Sequence, residues 1–285
     1  MRRLLAILAT LVIGACGKST APTDPAPTAV EIGHAGHEMP AVPAKPYSVI
    51  VTPAVAFVSN APTKLQLELR DPDGKRVTQL DVAHEKLLHL IVVSADLAFF
   101  THEHPTRRDD GLLDHTLTLP HAGDYTVFAD FTTGGKNAVA STQITVAGTP
   151  PPAEALAPIA LPAKVQSGAF TVELRPNVVL VAGQNTLLDF DITDAAGPVT
   201  DLRDYLGAKG HGVIISADRA QYLHSHPMAG ATGSIVRFHT VFPSAGVYKV
   251  WGEFRPRGDA VRVSFTVTVA PGEGHASPMD MDHAH

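Results

Sequence analysis

Histidines are the residues of this sequence most suited to a chemical role. The 285-residue chain contains 15 histidines, and six of them form two copies of one pattern. The six are His89, His102 and His104 in the first copy, and His211, His224 and His226 in the second. Neutral imidazole ligates zinc and copper, and three histidines with an open fourth position form a known metal site. A lone histidine more often bonds a backbone carbonyl, so the repetition at identical spacing is what favours a metal.

A β-hairpin must position each set. A symmetric turn centred on residues 96–97 places His89 opposite His104 and Ile91 opposite His102, so all three histidines project from one side. The copy containing His211 has the same spacing and gives the same result. The rest of that side is apolar, with Ile91, Val93 and Phe100 in the first copy and Val213, Ile215 and Tyr222 in the second. We therefore expect this side to face the core of its own domain, with the histidines near the rim.

Methionine gives a second indication of a metal. The four methionines beyond the initiator all lie within four residues of a histidine. Thioether and imidazole form a soft ligand set that suits Cu(I) and, by extension, silver. We expect Met228 to add to the second histidine set, and both ends of the chain to capture ions. The residues expected to do so are His34, His37, Met39, His275, Met279, Met281, His283 and His285. The alternative interpretation of these ends is a low-complexity polar linker.

The histidine patterns belong to a tandem duplication. Residues 89–105 align with residues 211–227, and residues 119–131 align with residues 242–254. Short runs with period-two alternation, separated by turn residues, are typical of a β-sandwich. The sequence therefore predicts an all-β protein with two tandem Ig-like antiparallel sandwiches of seven or eight strands each. Two short stretches, residues 83–88 and 202–208, are each expected to hold one helical turn.

Composition divides the chain into six parts. We expect a lipoprotein signal peptide at 1–15, a disordered tether at 16–46, a β-sandwich at 47–147, a Pro/Ala-rich linker at 148–165, a second β-sandwich at 166–270, and a disordered tail at 271–285. The first part has Arg2 and Arg3 before a twelve-residue apolar run, which is too short to span a bilayer.

The apolar run ends in Ile-Gly-Ala-Cys at residues 13–16, which resembles the lipobox of bacterial lipoproteins. That resemblance implies lipidation of Cys16 and a protein exported to the bacterial cell envelope, facing the periplasm or the surface. An ordinary signal peptide followed by a stray cysteine is the alternative. Cys16 is the single cysteine, so intramolecular disulfides and zinc sites built on several thiolates are excluded. The net charge of −6 argues against a nucleic-acid partner.

The repeated block that begins with His89 or His211 and ends in His-x-His-Pro resembles a group of bacterial secreted proteins with duplicated β-sandwich domains. It is similar to YtkA-like and FixH-like domains, which are associated with heavy metals. The resemblance implies an extracytoplasmic β-sandwich with copper or another heavy metal as ligand, and it does not supply an enzymatic activity. The first copy departs from the pattern, since it has Ala-His-Glu-Lys at 83–86 where the second has Tyr-Leu-Gly-Ala at 205–208.

These patterns favour a lipid-anchored metal-binding protein that is not an enzyme. Its ligand is expected to be copper, as Cu(I) or Cu(II), or zinc, and its role that of carrier, buffer or chaperone for a membrane metal transporter or a recipient metalloenzyme. An Ig-like structural or adaptor lipoprotein without metal is the alternative. A metal-dependent hydrolase ranks third, because Glu103 points away from its neighbours His102 and His104 and no other general base is in the motif. The remaining histidines considered are expected to be structural or on the surface, namely His84, His115, His121 and His239.

Overall fold

A computed structural model describes residues 46–228 and 233–272. Every regular element in these residues is a β-strand. The first domain contains β1 (Ser48–Pro53), β2 (Pro62–Arg70), β3 (Leu88–Ser94), β4 (Phe100–Glu103), β5 (Thr106–Arg107), β6 (Leu113–Thr118), β7 (Gly123–Thr133) and β8 (Lys136–Val146). The second contains β9 (Ala163–Ser167), β10 (Phe170–Pro176), β11 (Asn185–Asp194), β12 (Gly197–Pro198), β13 (His211–Ser216), β14 (Tyr222–Ser225), β15 (Ile235–Val241), β16 (Gly246–Phe254) and β17 (Val261–Val269).

Each domain is a sandwich of two antiparallel sheets. The first domain has sheets ordered β1-β2-β6-β5 and β4-β3-β7-β8. In the second domain β9, β10, β11 and β12 form one sheet, with β15 also paired to β11, and the other sheet is β14-β13-β16-β17. The predicted fold, two tandem Ig-like sandwiches, is confirmed. No described residue belongs to a helix that is long and apolar enough to cross a membrane.

Alternating side chains fill the two cores. In β2, for example, Leu65, Leu67 and Leu69 are buried while the residues between them are not. Leu90 and Val92 of β3 belong to the first core, and Ile214 of β13 belongs to the second. Burying every second side chain of a strand against the facing sheet is what holds such a sandwich together.

A third apolar cluster joins the two domains, which fall within a single compact unit. It contains Ile91, Val93, Leu97, Phe100 and Phe128 of the first domain and Val213, Ile215 and Trp251 of the second. These include the apolar residues that share a side with the histidines. The expectation that this side faces the core of its own domain is therefore wrong. The alternate residues of β3 and β13 fill the cores, and the histidine side packs against the other domain.

The expected helical turns are also wrong. Residues 83–86 form a tight turn in which the backbone N–H of Ala83 donates to Lys86 O and that of Lys86 donates to Ala83 O, at 2.9 and 3.0 Å. Its central residues, His84 and Glu85, have φ of 49° and 64°. Residues 205–208 form the matching turn in the second domain. Two consecutive residues with positive φ give a hairpin-type turn rather than a helical one.

Replacing Trp251 with Ala tests the interdomain cluster. The Trp251 ring stacks on Phe100 with centroids 4.7 Å apart, and Trp251 is 3% exposed. We expect Trp251→Ala to lower the free energy of unfolding by about 3–5 kcal/mol, as truncation of a buried aromatic does. Urea unfolding followed by circular dichroism measures it. Val179→Ala is the control, since Val179 is 77% exposed and its truncation is expected to change little; equal effects of the two variants would contradict a packed interface.

Candidate metal centre

The register of the two hairpins brings each histidine set together. In the first domain Ile91 pairs with His102 and Leu90 pairs with Glu103. In the second domain Val213 pairs with His224. Both registers are the predicted ones, and they place the three histidines of each copy on one side of their hairpin. In each set, one ring nitrogen per histidine lies within 4.8 Å of the others. The predicted convergence is confirmed for His89, His102 and His104 and for His211, His224 and His226.

Tight turns orient the first histidine of each set. The Nε2–H group of His89 donates to Ala83 O at 3.3 Å, and the Nε2–H group of His211 donates to Tyr205 O at 2.9 Å. Both carbonyls belong to the hairpin-type turns that precede β3 and β13. A neutral imidazole carries a single N–H, so this bond leaves a lone pair on the Nδ1 atom of each of these two histidines.

Carboxylates orient the second histidine of each set, and each carboxylate comes from the other domain. The Nδ1–H group of His102 donates to Glu253 Oε2 at 2.6 Å, and the Nδ1–H group of His224 donates to Asp130 Oδ2 at 2.7 Å. Asp130 and Glu253 occupy equivalent places in the duplication, paired across β7 and β16 with His89 and His211. Each bond leaves the lone pair of the bonded histidine on Nε2.

Lone pairs therefore face one another in both sets. The Nδ1 atom of His89 is 3.0 Å from His102 Nε2, and the Nδ1 atom of His211 is 3.4 Å from His224 Nε2. In neutral imidazoles with these partners neither atom of either pair carries a hydrogen. The third histidine of each set adds an Nε2 atom that is buried without a hydrogen-bond partner among the described residues; these are His104 and His226. Facing lone pairs and unpartnered buried nitrogens are costly, and a cation bound among the three rings of each set would relieve that cost.

Burial disfavours a proton as that cation. The pKa of all six histidines is lowered from 6.5, in each case chiefly because burial penalises the charged imidazolium. For His104 and His211 the pKa falls to about 3. Neighbouring imidazoles lower it further, because a second positive charge is repelled. Metals bind the neutral imidazole, so burial favours the ligating form of these histidines.

Comparison with known proteins identifies the duplicated unit. A family model matches residues 44–148 and 163–271, once for each sandwich and over more than half of the chain. The chain belongs to this family, described as Domain of unknown function (DUF8832). Each of the two DUF8832 repeats contains one three-histidine set, the turn that precedes it, and the carboxylate that orients a histidine of the other repeat. No curated protein matches the chain.

Several solved structures are similar to this chain at low identity. Yersinia pseudotuberculosis InvD is 16% identical, with a TM-score of 0.26, over 81% of this chain and 60% of that one. The bacterial integrin-binding protein invasin is 12% identical, with a TM-score of 0.26, over 79% and 39%. A putative membrane anchored protein from Corynebacterium diphtheriae is 10% identical, with a TM-score of 0.25, over 80% and 60%. The chain thus spans 60% or less of the length of these proteins.

His84 lies beside the two histidine sets. The sequence did not indicate this, because His84 has no counterpart in the second DUF8832 repeat. Its ring stacks on that of His226, with centroids 3.3 Å apart and planes 10° apart. It is 6.0 Å from His211 and 6.4 Å from His89, centroid to centroid. Although His84 is exposed, as expected, it contacts the histidine set of the other domain.

The remaining predicted residues lie elsewhere. Met228 is 42% exposed and its backbone N–H donates to Arg237 O, so its role as a ligand stays a prediction. His115 Nε2 is 3.7 Å from Glu103 Oε2, and His239 Nε2 is 2.9 Å from Asn185 Oδ1. Cys16, the signal peptide, the tether up to residue 45 and the tail ligands lie outside the described residues. The expected capture residues there are His34, His37, Met39, His275, Met279, Met281, His283 and His285.

Proposed function

We propose that this protein is an extracytoplasmic, lipid-anchored metal-binding protein that carries, buffers or delivers copper through a three-histidine site in each domain. The observation that supports this most is that two imidazole lone pairs face each other in each domain. The His89 Nδ1 atom is 3.0 Å from His102 Nε2, and the His211 Nδ1 atom is 3.4 Å from His224 Nε2. A metal ion accepts all three lone pairs of a set at once, whereas a proton can be shared by two.

Copper is proposed over zinc on the chemistry of the ligands. Each site offers three imidazoles, and Met228, two residues after His226, and the methionines near the chain ends would supply soft thioethers. Imidazole with thioether suits Cu(I), and three ligands with an open position suit an ion that is to be passed on. Zinc also binds three histidines, so it is tested separately beside copper in the experiment below.

We propose a carrier rather than an enzyme because the centre's carboxylates are engaged with its ligands. Asp130 and Glu253 each accept a hydrogen bond from a histidine Nδ1–H, which orients the ring and raises its basicity as a ligand. Export and attachment through Cys16 are supported by the sequence pattern of residues 1–16. The recipient is proposed to be a membrane metal transporter or a metalloenzyme.

Metal analysis of the soluble chain beginning at Gly17 tests this proposal. After dialysis against Cu(II), against Zn(II), or against Cu(I) under reductant, we expect two tightly held ions per chain, one per domain. His104→Gln and His226→Gln are each expected to remove one ion, because each deletes one of three ligands. The His/Met tail is expected to take up further Cu(I) more weakly than the two domain sites. Removing residues 273–285 is therefore expected to lower this additional uptake and to leave the two tightly held ions in place.

His121→Gln is the matched control for these variants, because the equivalent position in the second repeat is Ser244. It is expected to retain both ions. Circular dichroism of each metal-free variant checks that the fold is kept. Retention of no ion by the folded parent chain would contradict the metal-binding function and favour an adaptor; equal ion counts in parent, His104→Gln and His226→Gln would place the ions outside the two sets.

A further inference from the structure

The two histidine sets adjoin one another across the domain interface. Ring centroids within a set are 4.6–5.6 Å apart. Between sets, His89 is 5.0 Å from His224 and His102 is 5.8 Å from His211, centroid to centroid. The separations between sets thus nearly equal those within a set. Six imidazoles from two domains form one cluster rather than two separate sites.

The hydrogen-bond partners of the cluster cross between the domains. His102 of the first domain is oriented by Glu253 of the second, and His224 of the second domain is oriented by Asp130 of the first. Glu253 is held in turn by Arg262, whose Nε and Nη2 atoms are 2.9 and 2.8 Å from Glu253 Oε1. Neither set therefore has its complete hydrogen-bonding partners within its own domain.

The interface that brings the carboxylates into place is a built one. Phe100 stacks on Trp251, and Phe128 stacks on Tyr222 with centroids 4.8 Å apart. Polar contacts add to this, because Lys249 Nζ donates to Leu97 O at 2.9 Å. Buried aromatic pairs and directed hydrogen bonds fix the orientation of one domain on the other.

We propose that the two sets are halves of one two-ion centre, which is complete only when the domains are docked, with Glu253 positioning His102 and Asp130 positioning His224. This inference rests on the proposed metal-binding function. It also indicates the ion charge that the centre favours. Arg262 offsets part of the negative charge of Asp130 and Glu253, so two monovalent ions such as Cu(I) leave less uncompensated charge than two divalent ions, which also repel each other four times as strongly at equal separation.

Substitution of each carboxylate in a protein that retains only one complete histidine set tests whether the carboxylate acts on the set of the other domain. In full-length His226→Gln protein, which retains the first-domain set, Glu253→Gln is expected to weaken Cu(I) binding by about 10- to 100-fold, and Asp130→Asn to have a smaller effect. In full-length His104→Gln protein, which retains the second-domain set, the two carboxylate variants are expected to exchange effects. Competition with a chromophoric Cu(I) chelator measures the affinity.

Electron paramagnetic resonance provides a readout that does not depend on the carboxylate variants. The parent chain loaded with two Cu(II) ions is expected to show dipolar broadening and a half-field transition, and the two single-site variants are not. Carboxylate effects confined to the domain that carries the substitution, or uncoupled Cu(II) spectra in the doubly loaded parent, would overturn the two-ion centre while leaving metal binding intact. Failure of the parent to bind any ion would instead overturn the proposed function and the two-ion centre with it.

Discussion

Acidifying the metal-free protein from pH of about 7.5 to about 5.5 is expected to lower its free energy of unfolding by several kcal/mol. The folded-state pKa of each cluster histidine lies below 6.5, because burial disfavours the imidazolium. Below 6.5 the unfolded chain therefore binds protons that the folded chain does not, and stability falls as the pH falls. The loss continues until the pH reaches the lowered folded-state pKa values.

Four of the cluster histidines are almost completely buried, so protonation is disfavoured most strongly at these four. His89 and His211 are 3% and 0% exposed, and the side chains of His102 and His224 are 0% and 4% exposed. At one pH unit below the unfolded-state pKa, each of these histidines lowers the free energy of unfolding by at most about 1.4 kcal/mol. The four together therefore lower it by up to about 6 kcal/mol. That is comparable with the total stability of many proteins, about 5–15 kcal/mol.

The free energy of unfolding is measured at each pH by urea unfolding, followed by the fluorescence of Trp251, which is the single tryptophan. The double variant His104→Gln/His226→Gln is expected to show a shallower pH dependence, because two fewer groups take up protons on unfolding. His239→Gln serves as the control for the loss of an exposed histidine outside the cluster. A free energy of unfolding that stays constant between pH of about 7.5 and 5.5 would show that the cluster histidines titrate alike in the folded and unfolded states.

The sequence was sufficient to predict the hairpin register and the grouping of the histidines. Side chains alternate along a strand, so the turn at residues 96–97 and the spacing of His89, His102 and His104 determine which of them share a side. The duplication then applies the same geometry to the second copy. These are local rules, and the pairing of Ile91 with His102 follows them.

What the apolar side of each hairpin packs against was not predicted, although the sequence carries an indication. Strands β3 and β13 read Leu-His-Leu-Ile-Val-Val-Ser and His-Gly-Val-Ile-Ile-Ser, which are nearly continuous apolar runs. Such runs are typical of strands buried on both faces, whereas a strand with one solvated face alternates. The second buried face is the domain interface. Its existence is readable from the run, but the identity of its partner is not.

The crossed carboxylates were missed for a related reason. Asp130 and Glu253 are acidic residues at equivalent positions of the aligned blocks 119–131 and 242–254, so the repetition that singled out the histidines also marks them. Their strand neighbours are His89 and His211, yet they bond His224 and His102. Which imidazole each one reaches depends on how two folded domains dock, and strand periodicity does not contain that information.

Saturating metal is expected to raise the melting temperature of the protein by roughly 15–30 °C. A ligand that binds only the folded state, at a concentration of about 1,000 times its Kd, raises the free energy of unfolding by about 4.1 kcal/mol per site. Two sites therefore raise it by about 8 kcal/mol. For a folded region of about 150–250 residues, each kcal/mol shifts the melting temperature by about 2–4 °C. Differential scanning calorimetry with and without the ion measures the shift.

Single-site and tail-deleted variants assign this stabilisation to the centre. His104→Gln and His226→Gln are each expected to show about half of the shift or less, because one set of ligands is incomplete. Deleting residues 273–285 is expected to leave the shift unchanged, while His121→Gln controls for the loss of a histidine outside the cluster. Because the six imidazoles and both carboxylates join the two domains, the loaded protein is expected to unfold in one transition. A chain that binds two ions with a shift of only a few degrees, or that loses the shift with the tail, would show that the ions are held outside the folded domains.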